Sequence, residues 1–200
     1  MSLGSLSGAR IPHGAFSCLD GPLWTERVAP SSKRWAVAVF GAPGSKLAII
    51  GGVDTGITRA CAAYSLDFGV TWNTSPTTFP DTSGYGFKQY GVAYGNGVFA
   101  AALNAVQGFT SSDGINWVLR TFPDITRLEF GEGIFLASRA NSALCYTSTD
   151  GVTWTSHAMP SNTAWGGVGI GDNGTCLIFH NSGCARSTDG GVTWGAAGTF

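Results

Sequence analysis

The feature that most narrows the fold of this chain is a short turn that recurs along it. SSDGINW (111–117) and STDGVTW (148–154) are seven residues long, while SLDFGVTW (65–72) and STDGGVTW (187–194) are eight. A weaker copy, CLDGPLW (18–24), keeps Asp20, Gly21 and Trp24 and has Cys18 where the others have serine. The aspartates Asp20, Asp67, Asp113, Asp150 and Asp189 lie 47, 46, 37 and 39 residues apart. A catalytic centre repeated at that interval would be odd. A structural unit repeated at about 40 residues is how arrays and propellers are built.

The register extends beyond the turn. A proline follows the tryptophan by six residues at Pro30, Pro123 and Pro160, and by eight at Pro80. An apolar segment comes next, broken in its middle by YGNG, FGEG or GDNG, which is a hairpin signal. A third short strand leads into the next turn, so each unit holds four short strands. WAVAVFGAPGSKLAIIGG (35–52) fits the same pattern ahead of SLDFGVTW. Glycine, at 30 residues, is about twice its usual share, and the 12% of charged residues is about half the usual level. Both suit an all-β chain rich in tight turns.

Elementary chemistry accounts for the residues of the turn. An aspartate can accept hydrogen bonds from backbone N–H groups of its own turn, and serine can add another. Glycine permits the positive φ that closes it. Trp24, Trp72, Trp117, Trp154 and Trp194 can each tuck between adjacent sheets, burying about 150–250 Å². The aspartates are therefore expected to be staples of turns. Truncating one, as in Asp150→Ala, is expected to cost about 1–3 kcal/mol by stranding turn donors.

The pattern Ser-x-Asp-(x)-Gly-x-x-Trp resembles the Asp-box, or BNR repeat, of sialidase-like β-propellers, over roughly residues 15–200. The resemblance implies a small β-propeller of about four to five four-stranded blades. The expected organisation is an N-terminal segment (1–14) and blade units at 15–29 (outer strands only), 35–76, 86–121, 126–158 and 165–200. Only GAAGTF follows Trp194, so the inner strands of the 15–29 unit are not evident. A small ring with an incomplete blade, a piece of a longer protein and completion by a partner chain all stay open.

The same resemblance brings sialidases into view, whose Arg-Ile-Pro segment supplies an arginine to a carboxylate-gripping triad. RIP occurs here at Arg10–Pro12, preceded by Ala9 rather than an aromatic residue. Sialidases also need about six blades, a Tyr–Glu pair and two further arginines. This chain has three glutamates, Glu26, Glu129 and Glu132, and no nominated carboxylate pair at glycosidase spacing. Cys176, His180 and Cys184 form C-x3-H-x3-C, without a fourth zinc ligand. Cys145 and Cys184 both stand three residues before the turn serine, which favours small buried thiols. GDNG lacks the alternating carboxylates of a calcium loop, and YGNGVF lacks the Lys-Ser/Thr of a phosphate loop. No cofactor is expected.

A net charge of −1, with Lys33-Arg34 the one basic pair, leaves no footprint for nucleic acid. No apolar window is long enough to cross a membrane. Five cysteines and no signal-peptide pattern suggest a protein made in a cytoplasm, with a later place in a released particle still open. Tyr85, Tyr90, Tyr94, Phe87 and Trp165 stand at or near first-strand starts. They are the candidates for stacking on sugars, with packing between blades as the alternative. Three functions follow. The first is a non-enzymatic structural or recognition module, as the resemblance to phage tail and virion propellers implies, whose partners are virion proteins, another copy, or a cell-surface glycan. The second is a sialidase-like glycosidase, and the third a lectin-like sugar binder.

Overall fold

The structure is a computed structural model that describes residues 34–42, 45–54, 59–80, 91–103 and 106–199. It is all-β. The first sheet holds β1 (Arg34–Phe40), β2 (Ala48–Asp54), β3 (Arg59–Ser65) and β4 (Asn73–Thr74). The second holds β5 (Val92–Gly95), β6 (Val98–Ala102), β7 (Gln107–Ser111) and β8 (Val118–Thr121). The third holds β9 (Arg127–Gly131), β10 (Ile134–Ser138), β11 (Ala140–Ser148) and β12 (Thr155–Ala164). The fourth holds β13 (Gly167–Ile170), β14 (Cys176–His180), β15 (Gly183–Ser187) and β16 (Gly195–Thr199). In each, the strands are hydrogen-bonded in chain order, so every sheet is an antiparallel meander. These sheets are propeller blades. Among the described residues their inner strands pack in the order β1, β5, β9, β13, and β1 does not pack on β13 as neighbouring inner strands do.

The second strands of the second and third blades, β6 and β10, are buried on both faces, and their alternation decides which neighbour each side chain meets. On β10, Phe135 and Ala137 face the second blade, where they pack with Ala93, Ala100 and Ala102. Leu136, between them, faces the fourth blade and packs with Cys176, Ile178 and Ala185. The core is therefore a series of inter-blade layers. Ile49, Ala60 and Ala62 of the first blade meet Phe99, Ala101 and Phe109 of the second in the remaining layer.

The turn tryptophans belong to these layers. Trp117 packs in the layer before its own blade, and Trp154 and Trp194 pack against the corresponding layers of theirs. Trp72, on the first blade, is half-buried and belongs to none of the three. Inner strands approach most closely at glycine seats. A Cβ on Gly95 would fall inside the Phe130 ring, and one on Gly131 would lie 2.9 Å from Ile170 Cγ2. Phe130 pairs with Phe135 and Ile170 with Cys176, so the two seated side chains hold the same place in successive blades. Pro160 lies within β12, which is tolerated because β12 is the outer edge strand of its blade.

Candidate functional site

The repeated turns carry the most ordered polar geometry among the described residues. In each, the serine hydroxyl donates to an aspartate oxygen, at 2.7 Å from Ser65 to Asp67 and 2.9 Å from Ser111 to Asp113. The same contact measures 2.9 Å from Ser148 to Asp150 and 2.7 Å from Ser187 to Asp189. The serine oxygen accepts the glycine N–H, three residues on in the short turns and four in the long ones. The carboxylate then accepts backbone N–H groups further along. Asp150 takes those of Val152 (2.8 Å) and Thr153 (2.7 Å), and Asp113 takes those of Ile115 and Asn116 (both 2.8 Å). In the long turns a threonine hydroxyl adds a 2.6 Å bond, from Thr71 to Asp67 and from Thr193 to Asp189.

These bonds favour the ionised carboxylates. The Thr71 hydroxyl, with the Thr71 and Ser65 bonds beside it, holds Asp67 at about 2. For Asp113 and Asp150 partial burial works the other way. It is outweighed by bonds from Asn116 in the first and from Thr153 and Val152 in the second, which leave both at about 2. Thr193 drives Asp189 lower still. Turn length has one further consequence. In the long turns the indole N–H reaches the glycine carbonyl, at 3.0 Å from Trp72 to Gly69 and 2.8 Å from Trp194 to Gly191. In the short turn of the third blade, Trp154 Nε1 is buried with no hydrogen-bond partner. Asp20 and Trp24 lie outside the described residues, as do Arg10, Glu26, Cys18, Tyr85, Phe87 and Tyr90.

The expected sugar-stacking surface needs correction where it can be seen. Trp165 is 2% exposed, lies in the layer between the third and fourth blades, and donates its indole N–H to the Ser142 carbonyl at 3.0 Å. It is a core residue, because the chain enters β13 beneath the neighbouring blade. Tyr94 is half-buried and packed at a tilt of 49° against Phe99, centroids 4.4 Å apart. Cys176, His180 and Cys184 do not converge. Cys176 faces the third blade, while Cys184 pairs with Phe179 on the strand positions that face away. Cys61, Cys145 and Cys176 are buried thiols, whereas Cys184 is partly exposed. Burial pushes the Cys145 thiol up to about 12, so it is inert as a nucleophile.

One pair escaped the sequence reading. Thr147 Oγ1 and His157 Nε2 are 2.8 Å apart, on neighbouring strands of the third blade. Burial lowers the His157 pKa, and the charge of Asp189 from the next blade opposes that. Asp189 spends its oxygens on Ser187, Val192 and Thr193, so it does not orient the imidazole as a triad carboxylate would. Glu129 is pushed upward by partial burial, the opposite direction from the turn aspartates.

Two grooves open on the outer strands. One, of about 290 Å³, is lined by Thr110, Ser112, Asp113, Asn116 and Arg120 and is walled by Val152 from the next blade's turn. The other, of about 370 Å³, is lined by Arg186, Thr188, Gly195 and Ala196. Arg186, Thr188 and Gly195 occupy on the fourth blade the positions of Thr110, Ser112 and Val118 on the second.

No protein-family model matches the chain, and no curated protein sequence does. Solved structures do. YCF48 bound to a D1 peptide superposes with a TM-score of 0.65 at 17% identity, covering 89% of this chain and 57% of that one. A streptogramin B lyase gives 0.56 at 15%, over 74% of this chain and 50% of that one. An ancestral GH74 enzyme gives 0.58 at 16%, over 81% and 24%. The fold is that of a β-propeller. The chain spans little more than half the length of YCF48 and half that of the lyase. These propellers include proteins named as enzymes and one named for a bound peptide, and at such identities the likeness is one of fold.

Proposed function

We propose that this chain is a non-enzymatic structural or recognition module, an Asp-box propeller of the kind phage virions display for assembly or for binding a host surface. The observation that carries the reading is the commitment of the turn aspartates. Each of Asp67, Asp113, Asp150 and Asp189 accepts at least three hydrogen bonds within its own turn, and each is held well below the usual carboxylate range. A carboxylate so occupied is a poor general acid or base near neutral pH. The repeated motif thus stiffens a scaffold whose loops and faces are left to meet a partner. The test is to pass the purified chain over immobilised cell-surface glycans and then weigh the glycans. Retention with unchanged mass supports recognition, and neither retention nor cleavage supports a purely assembling role. Loss of glycan mass overturns the non-enzymatic reading.

A further inference from the structure

The fourth blade ends the described array with the fittings of an inter-blade contact still empty. The Gly95 and Gly131 seats receive Phe130 and Ile170 of the following blade. Their counterpart after β13 is Gly171, and a Cβ there would meet nothing closer than the Thr175 carbonyl oxygen at 3.9 Å. The hairpin residue Asn96 reaches into the next blade and donates from Nδ2 to the Gly133 and Thr149 carbonyls, at 2.9 and 2.8 Å. Its counterpart Asn173 has the same left-handed backbone (φ 59° against 47°) and is exposed. Among the described residues no side-chain hydrogen bond is made by Asn173. Leu136 and Ala102 are fully buried by the blade after their own, whereas Leu177 and Phe179, at the matching positions, are partly exposed, Phe179 by 36%. Among the described residues the groove of Arg186, Thr188, Gly195 and Ala196 has no wall like Val152.

The first blade carries the matching inserts. Phe40 pairs with Ala48 as Phe130 pairs with Phe135, so it holds the place of the side chains that fill glycine seats. It is 59% exposed. The turn of this blade also departs from the others. Leu66 and Phe68 are 56% and 57% exposed. Leu66 stands where the others have Ser112, Thr149 and Thr188, and Phe68 holds φ 59° where the other long turn has Gly190. A bulky exposed aromatic in the left-handed region is costly and uncommon. We propose that the chain associates head to tail with a second copy. Phe40 of one copy seats on Gly171 of the other, and the Leu66–Phe68 turn meets Asn173 and the open groove. The two ends differ, so the contact is heterologous and builds a ring or a chain of copies. The inference is independent of any glycan, and its failure would leave the recognition reading standing.

Two variants block one end each, Phe40→Asp at the head and Gly171→Asp at the tail. Among the described residues nothing covers either site, so strand content by circular dichroism should stay unchanged. Sedimentation velocity over a concentration series reads the assembly. The wild type should gain mass with concentration. Each variant alone should stay at the mass of one chain, with association weakened about tenfold or more. An equimolar mixture should form pairs and stop there, because one intact head meets one intact tail. A wild type that stays single at every concentration overturns the proposal. So do variants that assemble like the wild type, and a mixture that fails to pair.

Discussion

Ser148→Ala tests the turn where its geometry is most demanding. The hydroxyl is buried, donates to Asp150 at 2.9 Å, and accepts the N–H of Gly151 at 2.8 Å and that of Asp150 at 3.3 Å. Gly151 is itself buried, against Ala100, Phe135 and Val98 of two blades. Truncation strands that N–H away from water, which costs about 1–3 kcal/mol. Asp150→Ala removes more hydrogen bonds, yet its backbone donors, Val152 and Thr153, are exposed, and water replaces the lost acceptor. Its cost therefore falls to about 1 kcal/mol, the low end of the range expected from sequence. A repeat array need not unfold in one step, so a global melt is a poor gauge. Native-state amide exchange at Gly151 and its neighbours reads the local opening free energy instead. Ser148→Ala should speed exchange there by about five- to 150-fold and leave the first blade untouched. A change under twofold, or a larger effect from Asp150→Ala, would refute the reasoning.

Further outcomes follow from the same geometry. Gly95→Ala should destabilise the contact of the second and third blades by about 1–3 kcal/mol, read in denaturant, because its Cβ would enter the Phe130 ring. Trp194→Phe should cost about 1 kcal/mol for the lost bond to Gly191. Trp154→Phe, at a buried N–H without a partner, should cost less, by the same measurement. Asp67, Asp113 and Asp150 have folded pKa values near 2, below their ordinary 3.8, so the unfolded chain binds more protons between those values. Their contribution is complete above about pH 4 and is lost as pH falls towards 2. An acid titration followed by circular dichroism should show it, and stability flat through that window would contradict it.

Much of the fold was legible because the turn fixes both ends of each repeat. A Ser-x-Asp-Gly turn ending in Trp sets where the third strand stops and the fourth begins, and X-Gly pairs set the hairpin between the first two. Facing was harder to read. A side chain's face depends on strand parity, which a single extra residue inverts. Trp165 looked like a loop aromatic because it precedes a strand, yet the path into β13 turns it under the third blade. Thr147 and His157 meet diagonally across the β11–β12 pair, where Thr147 stands opposite Thr155 and His157 opposite Cys145, a register the sequence alone does not announce. The extra residue in the long turns is plain in the sequence. Its effect, carrying the indole N–H onto a glycine carbonyl, appears only in three dimensions. Phe40 and Gly171 likewise read as an ordinary strand end and an ordinary loop glycine until the seats at Gly95 and Gly131 are seen filled.

The most direct test of the central claim, that the repeated aspartates are structural staples, is a carbon-13 NMR titration of their side-chain carboxyls in the folded chain. Asp67, Asp113 and Asp150 should each titrate near 2, with Asp189 lower still. A turn aspartate titrating at or above its ordinary 3.8 would contradict the claim and mark that carboxyl as free for chemistry.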